Sequence, residues 1–357
     1  MSLRILAINP GSTSTKIAVY DGEEETFIKN IKHPAEQLAA FATIASQFSF
    51  RENVILSELA AAGQDTRALD AIVGRGGLVK PVESGVYEVN EALLADLRHP
   101  LMGEHASNLG GLIAHDIACS LPGNVKAYIT DPVVVDEMEE VARVSGHPSF
   151  RRVSIFHALN QKAIARLHAR MTGKKYEDMN LVVAHLGGGI SVAAHREGRV
   201  IDVNNALDGE GPFSPERSGT LPAGQLVDLC FSGTKTREEM RRLVTGEGGL
   251  VAHLGTNDAR VVEQKALDDP RYKLVRDAMA YQIGKAIGEM AAVLRGKVDA
   301  ILVTGGIAHD PYLVGSVREM VSFIAPFAVY PGEDEMRALA TNILMVHRGE
   351  LPVKIYK

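Results

Sequence analysis

The hydrophobic residues that open the chain fall into two runs, 5–8 and 16–20, separated by the polar stretch 9–15. That pattern predicts a strand, a turn and an antiparallel return strand. A tight hairpin needs two to five loop residues, usually Gly, Asn or Asp. This turn instead carries Asn9, the four hydroxyls of residues 12–15 and a lysine, Lys16, at its exit. Further strand-like runs occupy 69–74, 125–130, 181–186, 190–195 and 299–304. Helical periodicity marks 35–48, 52–63, 104–121, 134–144, 157–171, 224–232, 237–245, 272–296 and 334–349. Strands alternating with helices predict an α/β fold.

The opening pattern returns at 181–202: apolar strand, Gly-rich turn, second strand, a turn closing on glycine, and a third short strand. A duplicated βββα unit of this kind would set two such turns facing one another across a cleft between domains. A third glycine turn, in 301–321, differs: a buried strand leads through Gly305 and Gly306 to a helix beginning near Pro311. Bare backbone at a strand's carboxyl end commonly receives a ligand.

At 357 residues the chain is long enough for two domains, each with its own core. A formal net charge of -6 argues against nucleic acid or an anionic membrane as partner, while leaving room for a local basic pocket that takes a small anion. Cys119 and Cys230 lie in apolar, helix-like surroundings and are expected to be buried free thiols in a reducing cytosol. No Cys or His pairs have zinc spacing. No leader-like start and no apolar run of about 18 residues is present, so a soluble cytoplasmic protein is expected.

Short glycine- and hydroxyl-rich turns present backbone N–H groups to phosphate oxygens with little obstruction. The first turn adds Asn9, Ser12, Ser14 and Lys16; the second offers His185 with Gly187, Gly188 and Gly189. Three such turns, each following an apolar strand, predict a nucleotide held by its phosphates at two and by its adenosine at the third. Four more polar features qualify the picture. Arg75 stands among glycines after a strand, Asp131 ends a strand before a proline, His157 starts a helix, and Arg217 rides a long Gly/Pro loop, 208–224. Glu335 opens the last helix, where it could simply favour the helix dipole. Each of these has a plainer reading as a surface charge, cap or core histidine.

The segments "INPGSTSTK", "GRGG", "GEHASNLGG", "TDPVV", "FHALNQK", "AHLGGGISV", "ERSGTLP", "TGGIAHD" and "EDEMRALA" run in order along nearly the whole chain. Together they resemble the acetate and butyrate kinase family of the actin-like ATPase superfamily, and 74–90 is similar to its butyrate kinase branch. The resemblance implies two ribonuclease-H-like domains with mixed five-stranded sheets flanked by helices, and an active site in the interdomain cleft. The expected bounds are 1–150 plus 335–357 for the first domain and 151–334 for a nucleotide-binding second. It further implies reversible phosphoryl transfer from ATP to a short-chain carboxylic acid such as butyrate, giving an acyl phosphate and ADP, with Mg²⁺ as cofactor. A homodimer or larger homo-oligomer is usual in such a family. Related alternatives are an acetate or propionate kinase, a sugar kinase and a nucleotide-driven switch.

By position, Asn9, Arg75, Asp131, His157, Arg217 and Glu335 would be catalytic, with Asp131 and Glu335 organising the metal. Ser12, Ser14, Lys16, His185 and the glycines 187–189 would hold phosphate. Asp258, Arg260, Gly305, Gly306, Ile307 and Asp310 would fall near the adenosine. Val73, Gly74, Phe156, Pro212 and Phe213 would line the acyl pocket. Gly74 stands where acetate kinases carry a bulkier residue, and the space is expected to admit further methylenes, each contributing about 0.8 kcal/mol on burial. Two departures from the family pattern stand out: Ile72 where acetate kinases have an arginine, and "GIAHD" in place of their "GIGEN".

Overall fold

The computed structural model describes residues 2–100 and 103–357. Its strands are β1 (Arg4–Pro10), β2 (Ser14–Asp21), β3 (Glu24–Lys32), β4 (Ala71–Arg75), β5 (Val86–Glu88), β6 (Lys126–Thr130), β7 (Asn180–Leu186), β8 (Ile190–Arg196), β9 (Arg199–Val203), β10 (Ala300–Gly305), β11 (Phe327–Pro331) and β12 (Val353–Ile355). They divide between two compact units, one comprising Met1–Val135 with Asp334–Lys357, the other Asp136–Glu333.

In the first unit the strand order is β12-β5-β6-β4-β1-β2-β3. The expected five strands are there, but β5 and β12 extend the sheet to seven. Each has three residues, too few for an alternating pattern to show in the sequence. Strands β1, β4 and β6 run parallel, so their carboxyl ends lie along one edge. The helices Asn108–Ser120 and Glu335–His347 both pack on the central strands β1 and β4. The core gathers Leu6, Ile8, Ile72, Ile113, Ile117 and Ile129, all fully buried or nearly so.

The second unit has the expected five strands, ordered β11-β10-β7-β8-β9. Alternate residues of β7 enter different cores. Val182, Ala184 and Leu186 pack with the helix Pro270–Val293, while Leu181 and Val183 pack with Ala165 and Ala169 of the helix Ala158–Met171. Both faces of the sheet are thereby covered, which is why β7 and β10 read as continuous apolar runs.

The repeat seen in the sequence has a structural counterpart. Each unit contains an antiparallel meander, β1-β2-β3 and β7-β8-β9, and in each the pairing shifts register at the same place, Val19/Tyr20 and Ala194/His195.

Four expectations are corrected. The first turn is shorter than the polar stretch, because β1 continues to Pro10 and β2 starts at Ser14, leaving 11–13. Segment 35–48 is not one helix but the turn Ala35–Leu38 and the short Ala45–Gln47. Thr43 and Ser46 exchange side chain–backbone hydrogen bonds there, an arrangement that competes with helix. Segment 134–144 forms only the turn Glu140–Arg143, since Val135 bridges to Val82 and Glu137 is drawn into an ion pair with Lys162. Cys119 and Cys230 are exposed rather than buried. The helix carrying Cys230, Ala223–Phe231, buries none of its residues despite its apolar sequence. No helix among the described residues is long and apolar enough to cross a membrane.

Candidate active site

Three predicted side chains converge at the carboxyl edge of the first sheet. Asn9 lies near the end of β1, and Arg75 ends the neighbouring β4. Glu335, the first residue of the closing helix, meets both: Asn9 Nδ2 donates to its Oε2 at 2.5 Å, and Arg75 Nη1 lies 2.9 Å from Oε1. Asp131 follows β6, whose Thr130 is paired with Arg75. Its φ of +38° is unusual for a residue with a Cβ, a strain characteristic of functional positions. The surrounding bonds hold it there: Oδ1 accepts from the Ser84 hydroxyl at 2.6 Å and the Gly85 N–H at 2.9 Å, with Asn342 Nδ2 at 3.4 Å from Oδ2. Lys16 stands opposite Asn9 across the hairpin, Ser12 lies within the turn and Ser14 begins β2. Ile72, where acetate kinases have an arginine, is a core residue.

The "GRGG" stretch has a packing role that sequence reasoning assigned otherwise. A Cβ on Gly74 would lie 2.1 Å from the Gly110 carbonyl oxygen, one on Gly76 would meet Pro132 at 2.6 Å, and one on Gly77 would meet Asn108 at 2.3 Å. The space left by Gly74 is therefore taken by the helix Asn108–Ser120, and the expected room for methylenes is not there. Val73 beside it is wholly buried in the core. Gly74→Ala is expected to destabilise the first unit by about 3 kcal/mol, because a backbone neighbour cannot yield as a side-chain tip can. Thermal unfolding checks this, and a melting temperature within about 2 °C of the parent would refute the packing account.

In the second unit the turn of Gly187, Gly188 and Gly189 closes with Gly187 N–H donating to the Gly189 carbonyl at 3.0 Å. A Cβ on Gly189 would lie 1.9 Å from Arg217 Nη1, so the guanidinium rests against bare backbone. Arg217 Nη1 donates to the Ala206 carbonyl at 2.7 Å, whereas its Nε is shut from solvent and meets no acceptor. Burial lowers its pKa below the ordinary arginine value, with the Glu216 charge pulling the other way. The long loop bearing it is ordered by bonds such as Ser214 Oγ to the Gly188 carbonyl, 2.6 Å.

His185, at the end of β7, stacks on His157 with ring centroids 3.9 Å apart. Neither ring nitrogen of His185 makes an aligned hydrogen bond, although Glu333 Oε1 lies 3.0 Å from Nε2. His157 is oriented by a chain of bonds. The Tyr176 hydroxyl meets His195 Nδ1 at 2.7 Å, His195 Nε2 donates to Gln161 Oε1 at 2.9 Å, and Gln161 Nε2 donates to Ser191 Oγ at 2.8 Å. The Ser191 hydroxyl is thus directed to His157 Nδ1, 2.8 Å away, which leaves the ring proton on Nε2. Burial first, then the charges of Lys162 and Arg166, hold the His195 pKa well below 6.5, so this chain stays neutral.

The remaining predicted residues have evident structural duties. Asp258 caps the helix Ala259–Lys265 and pairs with exposed Arg260. Asp310 caps the helix Pro311–Val321 and forms a buried ion pair with Arg276. Ile307 belongs to the core. Gly305, at φ +95°, comes so close to Leu186 that a Cβ would lie 2.3 Å from its carbonyl oxygen, while Gly306 is open. Phe156 and Phe213 are buried, and Pro212 borders a cavity of about 760 Å³ together with Arg152, Glu210 and Lys285. Sequence reasoning missed Ser191, Gln161 and Glu333. The first follows the glycine turn and the last stands two residues before Glu335, but only folding brings Gln161 to Ser191.

The acetokinase family pattern matches residues 147–327. A probable butyrate kinase of Bacteroides thetaiotaomicron is 56% identical over 99% of this chain and 100% of its own. Butyrate kinase 1 of Clostridium acetobutylicum is 54% identical over 99% of each chain. The crystal structure of Porphyromonas gingivalis acetate kinase superposes with a TM-score of 0.78 at 19% identity, covering 97% of this chain and 100% of that one.

Proposed function

The chain belongs to the acetokinase family, and from that premise we propose that it transfers the terminal phosphoryl group of ATP reversibly to butyrate or a similar short-chain acid, giving an acyl phosphate and ADP. The relatives named butyrate kinase, at 54–56% identity over nearly the whole chain, support the four-carbon acceptor. The observation that carries the chemistry is Arg217. It is a guanidinium with a buried, unbonded Nε, set against a three-glycine turn and without a carboxylate at ion-pair distance among the described residues. Such a group is a site made for an anion.

A short-chain acid is already ionised at neutral pH and needs no general base. The protein's task is to bring two anions into line and offset their repulsion. Arg217 would grip the equatorial oxygens of the transferring phosphoryl, with His157 Nε2–H and His185 as further donors and the glycines 187–189 supplying backbone N–H groups. Asn9, Ser12, Ser14 and Lys16 would hold nucleotide phosphate, with Gly305, Gly306 and their neighbours nearer the adenosine. Arg75, held by Glu335, would meet the acceptor carboxylate.

For Mg²⁺, no cluster of three His, Cys, Asp or Glu side chains exists among the described residues. The donors therefore fit a hydrated ion that arrives with the nucleotide, reached through water from Asp131 and Glu335, and not a protein-caged metal. Bound in this way it would neutralise phosphate charge. The exposed apolar residues Val227 and Phe231 favour assembly with further copies, and the two free thiols suit a reducing cytoplasm.

The test is a hydroxylamine trap for acyl phosphate with ATP, Mg²⁺ and a panel of acetate, propionate, butyrate and isobutyrate. The highest kcat/KM is expected for the four-carbon acids. A preference for acetate would overturn the specificity, and no hydroxamate from any acid would overturn the activity.

A further inference from the structure

Arg51 is wholly buried on the helix Phe48–Ala61, and every group it bonds is neutral. Its Nε and Nη2 donate to Gln47 Oε1 at 3.0 and 2.8 Å. Nη1 donates to the carbonyls of Gly11 at 2.8 Å and Ser14 at 3.1 Å and to Thr15 Oγ1 at 3.0 Å, while Nη2 reaches the Ser12 carbonyl at 3.3 Å. No carboxylate lies at ion-pair distance among the described residues, and burial lowers its pKa with no acidic neighbour to oppose it. A charge kept from water without a counter-ion is costly and is retained where something else depends on it.

What depends on it is the first turn. In a trans peptide the C=O of one residue and the N–H of the next point in opposite directions. Drawing the carbonyls of Gly11 and Ser12 inward onto the guanidinium therefore aims the N–H groups of Ser12 and Thr13 away from it. Neither N–H meets an acceptor among the described residues. The other flank is gripped as well: His33 N–H donates to the Thr13 carbonyl at 2.8 Å. The Thr15 hydroxyl, already accepting from Arg51, gives its hydrogen to His33 Nε2 at 2.8 Å. That requires a neutral imidazole, and burial together with the Arg51 charge lowers the His33 pKa accordingly.

We propose that Arg51 is a positioning residue for nucleotide phosphate: it clamps the turn 11–14 with two backbone donors facing outward, and its charge is balanced when a phosphate docks on them. This rests on the reading of that turn as a phosphate site. Arg51→Lys keeps the charge and loses the fork; Arg51→Gln loses both. With the fork gone, Arg51→Lys is expected to raise the KM for ATP about tenfold, and Arg51→Gln further, with the KM for butyrate unchanged. The rise in melting temperature on adding Mg·ATP should shrink in the same order.

A merely structural role would lower the melting temperature of both variants while the folded fraction kept the parent's KM for ATP and its full ATP-induced shift. That result would overturn the proposal. Should neither variant fold, Thr15→Val decides, because it removes one ligand of Arg51 and the link to His33. A rise of about threefold in the KM for ATP is expected, and an unchanged KM with an unchanged shift would refute the clamp. The ATP-induced shift needs no acid acceptor, so it tests the clamp even if the panel of acids gives no product.

Discussion

Arg217→Ala is expected to lower kcat for acyl phosphate formation by about 10³-fold or more. The reason is geometric as well as electrostatic. A planar fork held against the backbone of Gly189 can meet two phosphoryl oxygens at once and needs no reorganisation when charge shifts in the transition state. Arg217→Lys should recover only part of the loss, since an ammonium is a point charge that cannot span both oxygens. Stability should change little. The variant forfeits one bond, Nη1 to the Ala206 carbonyl, and is relieved of a buried donor without a partner. The measurement is the hydroxamate assay at saturating substrates beside a thermal melt. A variant folded like the parent with kcat within threefold of it would remove Arg217 from the chemistry.

Glu335→Gln is the second large effect. Glu335 neutralises Arg75 and accepts from Asn9, and in the proposed reaction it would also hold water around a nucleotide-bound cation. The glutamine has the same shape but half the acceptor capacity. Whichever way its amide is turned, the NH2 faces a donor, either Asn9 Nδ2 or Arg75 Nη1, so one of these contacts is lost. A fall in kcat of about 10²-fold is expected, together with a higher Mg²⁺ concentration for half-maximal rate. Losing the ion pair alone should cost about 1–3 kcal/mol of stability, which a melt reads separately. Parent-like kcat and parent-like Mg²⁺ dependence in a folded variant would confine Glu335 to a structural role.

Strand β11 is not foreseen, whereas β1, β2, β4, β6, β7, β8 and β10 are legible as apolar runs between polar turns, and β3 and β9 as the third members of a repeated pattern. The edge additions β5 and β12 were not, being too short for any period to show. Among the polar residues, Asn9, Arg75, Asp131 and Glu335 were placed from their positions at strand ends and at a helix start, and the topology brings them to one edge of one sheet. In sequence Arg51 falls in the gap between the periodic segments 35–48 and 52–63, and its carbonyl partners lie about forty residues away. Gly74 misled for the opposite reason. A missing side chain reads as vacant space, yet here it marks where a helix backbone presses against a strand.

The chain leaves its first unit at Val135 and returns at Asp334. The stretch that returns supplies the helix on β1 and β4, the edge strand β12, and Tyr356, whose hydroxyl donates to Asp96 at 2.6 Å. During synthesis, then, the later-made half can finish folding while the earlier-made half still waits for its last two dozen residues. Until residues 334–357 arrive, the apolar sheet of the first unit stays open, which is the state most exposed to aggregation.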